Sequence, residues 1–228
     1  MQTGFKNLDK IIDINSEKLI VLGSRPAMGK STLALNILSN IAIKQNEPVL
    51  YFNLESSRED ITNRLLKTSR IFLEDKAGIS INEICKEARR MKLEQDIKFI
   101  VIDYLQLISY VEKNCLSRDL QIKEILKKLK LLSKELNLPI LVLSQLSRKP
   151  EQRENHRPMI TDFSESKVGI NNYADIVLLL YRDEYYNSDT CKNNIAEIII
   201  AKNPSRLGTI ELAWMPEYLK FGNLLKIR

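Results

Sequence analysis

Apolar residues fall in short blocks that alternate between two periods. Lys18 to Leu22 reads as a buried strand, apolar from Leu19 on, while from Lys30 onward Leu33, Leu35, Leu38 and Ile41 recur at helical spacing. Pro48 to Leu54 reads as a second strand, ending in Glu55, and Arg58 to Lys67 as a helix with Ile61, Leu65 and Leu66 on one face. A helix over Ile81 to Leu93 precedes a strand over Lys98 to Ile102 whose next residue is Asp103. Ile122, Ile125, Leu126, Leu129, Leu132 and Leu136 follow a period near 3.6 and predict an amphipathic helix. Pro139 to Leu143, ending at Ser144-Gln145, and Ala174 to Leu180 are further strands.

Beyond these the pattern turns strand-rich. Ile195 to Ala201 and Thr209 to Trp214 are expected to pair antiparallel, with Leu219 to Gly222 and Leu224 to Ile227 as a closing hairpin. Strands alternating with helices imply an α/β fold: a mostly parallel sheet flanked by helices, with an antiparallel C-terminal edge. No repeat or linker divides the chain, so residues 1–228 are read as one domain.

Composition fits that class and narrows the chemistry. The longest apolar runs, Ile176 to Tyr181 and Ile97 to Ile108, are too short or too interrupted to span a bilayer, and the N-terminus lacks a secretory core, so a cytoplasmic location without membrane contact is expected. Cys85, Cys115 and Cys191 are widely spaced and read as reduced thiols. His156, the single histidine, lies in a polar stretch, which argues against a histidine metal site or a catalytic triad. The net charge of +6 is compatible with nucleic acid, but Lys123, Lys127, Lys128, Lys130 and Lys134 on one helix read equally as its solvated face.

The chemistry concentrates after the first strand. Ser24-Arg25-Pro26-Ala27-Met28-Gly29-Lys30-Ser31, followed by Thr32, lies between a strand and a helix, where a phosphate chain meets backbone N–H groups and a helix N-terminus. Gly29 permits close approach, Lys30 would reach the β- and γ-phosphates, and the Ser31 hydroxyl would ligate magnesium. The pattern G-x-x-x-x-G-K-[ST] wants glycine where Ser24 stands. Asp103, at a strand end on the same sheet edge, would support the metal. Glu55 would take a proton from attacking water, and Gln145 would sense the γ-phosphate, unless these are a helix-start acid and a surface glutamine. The cofactors expected are therefore ATP and Mg2+.

With these motifs the sequence resembles the C-terminal ATPase domain of DnaB-type replicative helicases, within the RecA-like group. The resemblance rests on Thr3-Gly4-Phe5 with Leu8-Asp9, the phosphate loop, Phe52-Asn53-Leu54-Glu55 followed by Ser57-Arg58-Glu59, Ile102 to Leu107, and Leu143 to Arg148. It extends to Ala174-Asp175, Tyr181-Arg182-Asp183 and Ala196 to Lys202.

The resemblance implies a motor that hydrolyses ATP between subunits of a homo-oligomeric ring, such as a hexamer, and moves on single-stranded DNA. It implies a trans-acting basic finger of Lys and Arg two residues apart. Here Lys202 is present, but position 204, two residues on, is proline, and Arg206 is the nearest arginine. The stretch matching the DNA-contacting loop is Asp162 to Lys167, where Ser164 and Lys167 replace an expected arginine and glycine. Lys167, together with Arg148, is assigned to DNA. The family's primase-binding N-terminal domain and linker helix are read as absent, and the stretch between Leu66 and Ile79 as shortened. These departures leave a second reading: a non-unwinding nucleotide-binding relative that docks on a replicative helicase and regulates or loads it.

Overall fold

Both faces of each central strand are covered, which is why those stretches read as unbroken apolar runs. The computed structural model describes residues 1–15, 17–55, 70–110 and 116–224. Within them are the strands β1 (Leu19–Ser24), β2 (Val49–Asn53), β3 (Ile71–Glu74), β4 (Phe99–Asp103), β5 (Ile140–Gln145) and β6 (Ile176–Tyr181). The chain then adds β7 (Ile195–Lys202), β8 (Gly208–Met215) and β9 (Lys220–Asn223). They form one sheet in the order β3-β2-β4-β5-β1-β6-β7-β8-β9. Neighbours from β3 through β6 run parallel, and from β6 to β9 they run antiparallel, as the sequence predicts.

Alternation along each strand separates two cores. In β1, Ile20 and Leu22 face a layer with Leu33 and Leu38 of α2 (Lys30–Ser39), whereas Leu19 and Val21 face the opposite layer. That second layer holds Ile84 of α3 (Ile81–Gln95) and Ile125 and Leu129 of α4 (Arg118–Leu136). Ser80 starts α3 with a reciprocal cap: its backbone N–H donates to Glu83 Oε2 at 2.9 Å, and its Oγ accepts from the Glu83 N–H at 3.3 Å. The short α1 (Lys6–Asp9) is anchored by Asp9, whose carboxylate accepts from Thr3 and Gly4.

The structure differs from the sequence pattern in several places. β3 has no counterpart among the expected elements; it adds a parallel edge strand of half-buried residues. The polar stretch around Asp162 to Lys167 coils into short turns and opens a further helix, α5 (Lys167–Tyr173). Gly169 allows α5 to cross α4 closely: a β-carbon there would lie 2.8 Å from Leu126 Cδ1 and 3.0 Å from Lys123 Cα. β9 pairs with β8, after a turn in which Leu219 has φ 45°. Residues 225–227, the other arm expected of that hairpin, lie outside the described residues, as do the helix expected over Arg58 to Lys67 and Cys115.

Two of the five α4 lysines serve the fold. Lys130 Nζ donates to Asp175 Oδ2 at 2.6 Å and to the Glu17 carbonyl, and Lys128 donates to Asn82. No helix among the described residues is long and apolar enough to cross a membrane.

Candidate nucleotide-binding site

Parallel strands all end at one edge of the sheet, and that edge gathers the predicted residues. β1 stops at Ser24 and α2 begins at Lys30; the loop between them turns on Ala27 at φ 63° and Gly29 at φ 94°. Ser24 needs no left-handed backbone, which explains how a serine replaces the glycine of the usual pattern. Gly29 is required twice over. Its φ favours glycine, and a β-carbon would sit 2.9 Å from Phe221 Cζ, one ring of a Trp214–Phe221 pair packed at 4.6 Å.

The loop walls a cleft of about 250 Å³ lined by Ser24, Arg25, Pro26, Ala27, Gly29, Lys30, Ser31 and Thr32, with Glu55, Tyr104 and Gln145 opposite. Met28 is not among the lining residues, since its side chain is buried in the core. Ladder geometry places the far wall. The Leu54 N–H donates to the Asp103 carbonyl at 2.8 Å, carrying the β2–β4 pairing one residue further and setting Glu55 at the cleft. Gln145 lies beside Ser24 in the β1–β5 register, and the Leu146 N–H donates to the Ser24 carbonyl at 3.0 Å.

Asp103 lies beneath this cleft and is 2% exposed. Tyr51 Oη donates to its Oδ2 at 3.1 Å, while its Oδ1 is buried with no hydrogen-bond partner. A buried anionic oxygen without a partner carries a desolvation cost that a cation or its bound water would relieve. The residues present therefore fit a divalent cation shared by Asp103 and the Ser31 hydroxyl. Among the described residues no three His, Cys, Asp or Glu side chains cluster as a self-sufficient metal site, so phosphate oxygens would have to complete this one.

Burial depresses the Lys30 pKa, and the nearby charges of Asp103 and Glu55 only partly restore it. Its ammonium lies 4.8 Å from the centre of the Tyr104 ring. A lysine so desolvated gains strongly from an incoming polyanion.

Four predicted residues are elsewhere. β7 runs against β6, so Lys202 pairs with Val177 near the start of β6, at the sheet end opposite the phosphate loop. Its ammonium donates to the carbonyls of Asn171 (2.8 Å) and Ala174 (2.6 Å) at the end of α5. Arg206 lies on the connection from β7 to β8 and lines a separate concavity with Lys10, Glu197 and Glu211. Arg148 and Lys167 are exposed and outside the cleft.

Three contributors lie within the stretches that carry the family resemblance but have no role assigned from sequence. Gln106 donates to Ser144 Oγ at 3.0 Å and accepts from the Gln145 N–H at 3.3 Å, bridging the ends of β4 and β5. Arg182, just past β6, donates to the Ala27 carbonyl at 3.3 Å and packs on Trp214. Tyr104 backs Lys30. Their place in those stretches is a signal, but a polar residue one to three positions after a strand end is too common for its role to be read without the fold.

Known proteins share both this sequence and this fold. The family model described as DnaB-like helicase C terminal domain matches residues 1–70 and 66–223. The chain belongs to that family. It is 39% identical to the replicative DNA helicase DnaB of Geobacillus stearothermophilus and 38% identical to the replicative DNA helicase DnaC of Bacillus subtilis, over 97% of this chain and 56% of each relative. The chain thus spans little more than half the length of those helicases. A solved ATPase domain superposes with a TM-score of 0.92 at 32% identity, covering 98% of this chain and 91% of that one. A DnaB-like replicative helicase whose structure shows its interactions with primase also superposes at 0.92, with 62% of its chain covered.

Proposed function

We propose that this chain is the ATP-hydrolysing motor domain of a replicative-helicase-type protein that acts on single-stranded DNA in the cytoplasm, as part of a homo-oligomeric ring. The observation that carries the reading is the convergence of Lys30, Ser31, Glu55 and Gln145 on one cleft above a buried Asp103 with an unpartnered oxygen.

Each side chain has work suited to its place. Backbone N–H groups of the loop and the N-terminus of α2 hold the phosphates, and Lys30 balances the charge of the β- and γ-phosphates. Ser31 and Asp103 would hold magnesium, which when bound would neutralise charge developing on the phosphate oxygens. Glu55, exposed at the cleft wall, accepts the proton of the water whose oxygen bonds the γ-phosphorus as the bond to ADP breaks. Gln145 hydrogen-bonds the γ-phosphate and loses that partner after hydrolysis.

Topology supports oligomerisation. The cleft is smaller than the ~300–1,000 Å³ of pockets that enclose a whole ligand, so it takes the phosphates and leaves base and ribose at the surface, where a neighbour can cover them. Lys202 and Arg206 lie at the sheet end away from their own cleft, so any part they take in hydrolysis would be at another copy's. Arg148 and Lys167, exposed on the segment that follows Gln145, would meet DNA phosphates, a contact expected to weaken with salt.

The engaged ammonium of Lys202 and the proline at 204 favour the second reading, a nucleotide-binding relative that docks on a helicase and regulates or loads it. ATP turnover with and without single-stranded DNA, over a range of protein concentration, separates the two. The motor reading expects DNA-stimulated turnover that rises faster than linearly with concentration and falls about 10²–10⁴-fold in Glu55→Gln. Nucleotide binding without turnover at any concentration would overturn it.

A further inference from the structure

Arg25 lies in the phosphate loop and lines the cleft, yet its guanidinium is bonded to the segment that follows β5. Nη1 donates to the Leu146 carbonyl at 2.8 Å, while Nε and Nη2 donate to Glu151 Oε1 at 3.0 and 2.6 Å. The arginine side chain is only 12% exposed, so this charge-assisted pair is poorly screened on one side.

The partner segment is a closed unit. The Ser147 N–H donates to the Asp162 carbonyl at 2.9 Å, joining the two ends of the stretch, and the fully buried Asp162 carboxylate is bound by Arg153. At its far end Phe163 packs against the backbone of Gly23, where a β-carbon would lie 2.4 Å from the ring. The strand and loop that frame the cleft therefore hold residues 146–163 twice: by Arg25 to Leu146 and Glu151, and by Gly23 to Phe163. Arg148 lies inside this segment, and Lys167 opens the helix that follows it.

We propose that Arg25 is a positioning residue through which nucleotide in the cleft fixes the 146–163 segment, with Glu151 as its anchor. This rests on the cleft being a nucleotide site. A phosphate loop that tightens around its ligand moves Arg25, and the clamp passes that displacement to the segment carrying Arg148 without involving the Gln145 side chain. Only a segment with a closed base would move as a body.

Hydrogen exchange tests this on the whole chain, with and without magnesium and a non-hydrolysable ATP analogue, for wild type, Glu151→Gln and Glu151→Asp. In wild type the analogue should slow exchange at residues 25–32 and at residues 146–163. In Glu151→Gln the first protection should remain and the second fall by about ten-fold, the scale of one charge-assisted hydrogen bond, with Glu151→Asp restoring most of it. Equal protection of 146–163 in wild type and Glu151→Gln overturns the proposal. Protection of 25–32 alone in wild type also overturns it while leaving the nucleotide site standing. No protection at 25–32 in wild type removes both.

Discussion

Tyr51 Oη holds one oxygen of Asp103 at 3.1 Å and leaves the other buried with no hydrogen-bond partner. The carboxylate is therefore oriented before any ligand arrives. Asp103→Asn should keep the fold and nucleotide binding but raise the magnesium needed for half-maximal turnover by roughly 10–100-fold. Tyr51→Phe, which removes the orienting hydroxyl, should produce a smaller shift in the same direction. Magnesium titrations of ATP turnover check both, and an unchanged requirement in Asp103→Asn would remove that residue from the metal site.

Lys30 makes binding pH-dependent. Burial lowers its pKa below the ordinary 10.5, so the free protein releases this proton at lower pH than an exposed lysine does. Bound phosphates favour the ammonium, so nucleotide binding just below pH 10.5 should take up a proton, and affinity should fall as pH rises through that window. Without nucleotide the sign reverses for stability: the unfolded chain binds the proton more tightly, so this residue makes stability increase with pH there. Calorimetry in buffers of different ionisation heat measures the uptake, and Lys30→Met should abolish it.

Gly23 is tightly enclosed by Phe163, with Leu146 Cδ2 3.1 Å from the β-carbon position. Gly23→Ala should destabilise the protein by about 1–3 kcal/mol, as overpacking does. Adding Phe163→Leu should recover part of that loss. Urea titrations of both variants decide the point; a stable Gly23→Ala would mean that the ring yields easily.

The α3 cap offers a check far from the cleft. Ser80→Ala should cost about 1 kcal/mol. The Glu83 carboxyl is held down at about 2, by Lys76 first and then by Ser80. Its contribution is present above the ordinary value of 4.5 and disappears as pH falls from there toward 2. Glu83→Gln should therefore differ from wild type at neutral pH and converge with it in acid, by thermal melts across that range.

For the trans role of Arg206, mixing experiments are direct. Copies carrying Arg206→Ala, titrated into copies carrying Lys30→Ala, should restore turnover, because one partner supplies the intact cleft and the other the arginine. Absence of recovery at every ratio would reject the role. Lys202→Met is a poorer probe, because this lysine also ties β7 to the end of α5.

The sequence exposes most of what is fixed by burial and local bonding. Strands covered on both faces cannot hide, and the residues ending them, Ser24, Asp103 and Gln145, can be placed on one edge because parallel strands share an end. Glu55 follows β2 closely enough to share it. β3 is illegible because four half-buried edge residues lack that signature. α5 is equally hidden, because its seven residues owe their position to Gly169 against Lys123 and Leu126, a contact between segments far apart in the chain. The same holds for Gln106, Arg182 and the clamp on Arg25. Each binds a backbone carbonyl, a backbone N–H or a carboxylate whose proximity exists only after folding.

The reversal of chain direction between β6 and β7 has a kinetic meaning. Groups fixed at opposite ends of one rigid sheet cannot meet inside a single molecule, so a reaction that needs both Lys30 and Arg206 has a molecularity of at least two. Specific activity would then cease to be an intensive property of the preparation, and dilution alone would act as an inhibitor.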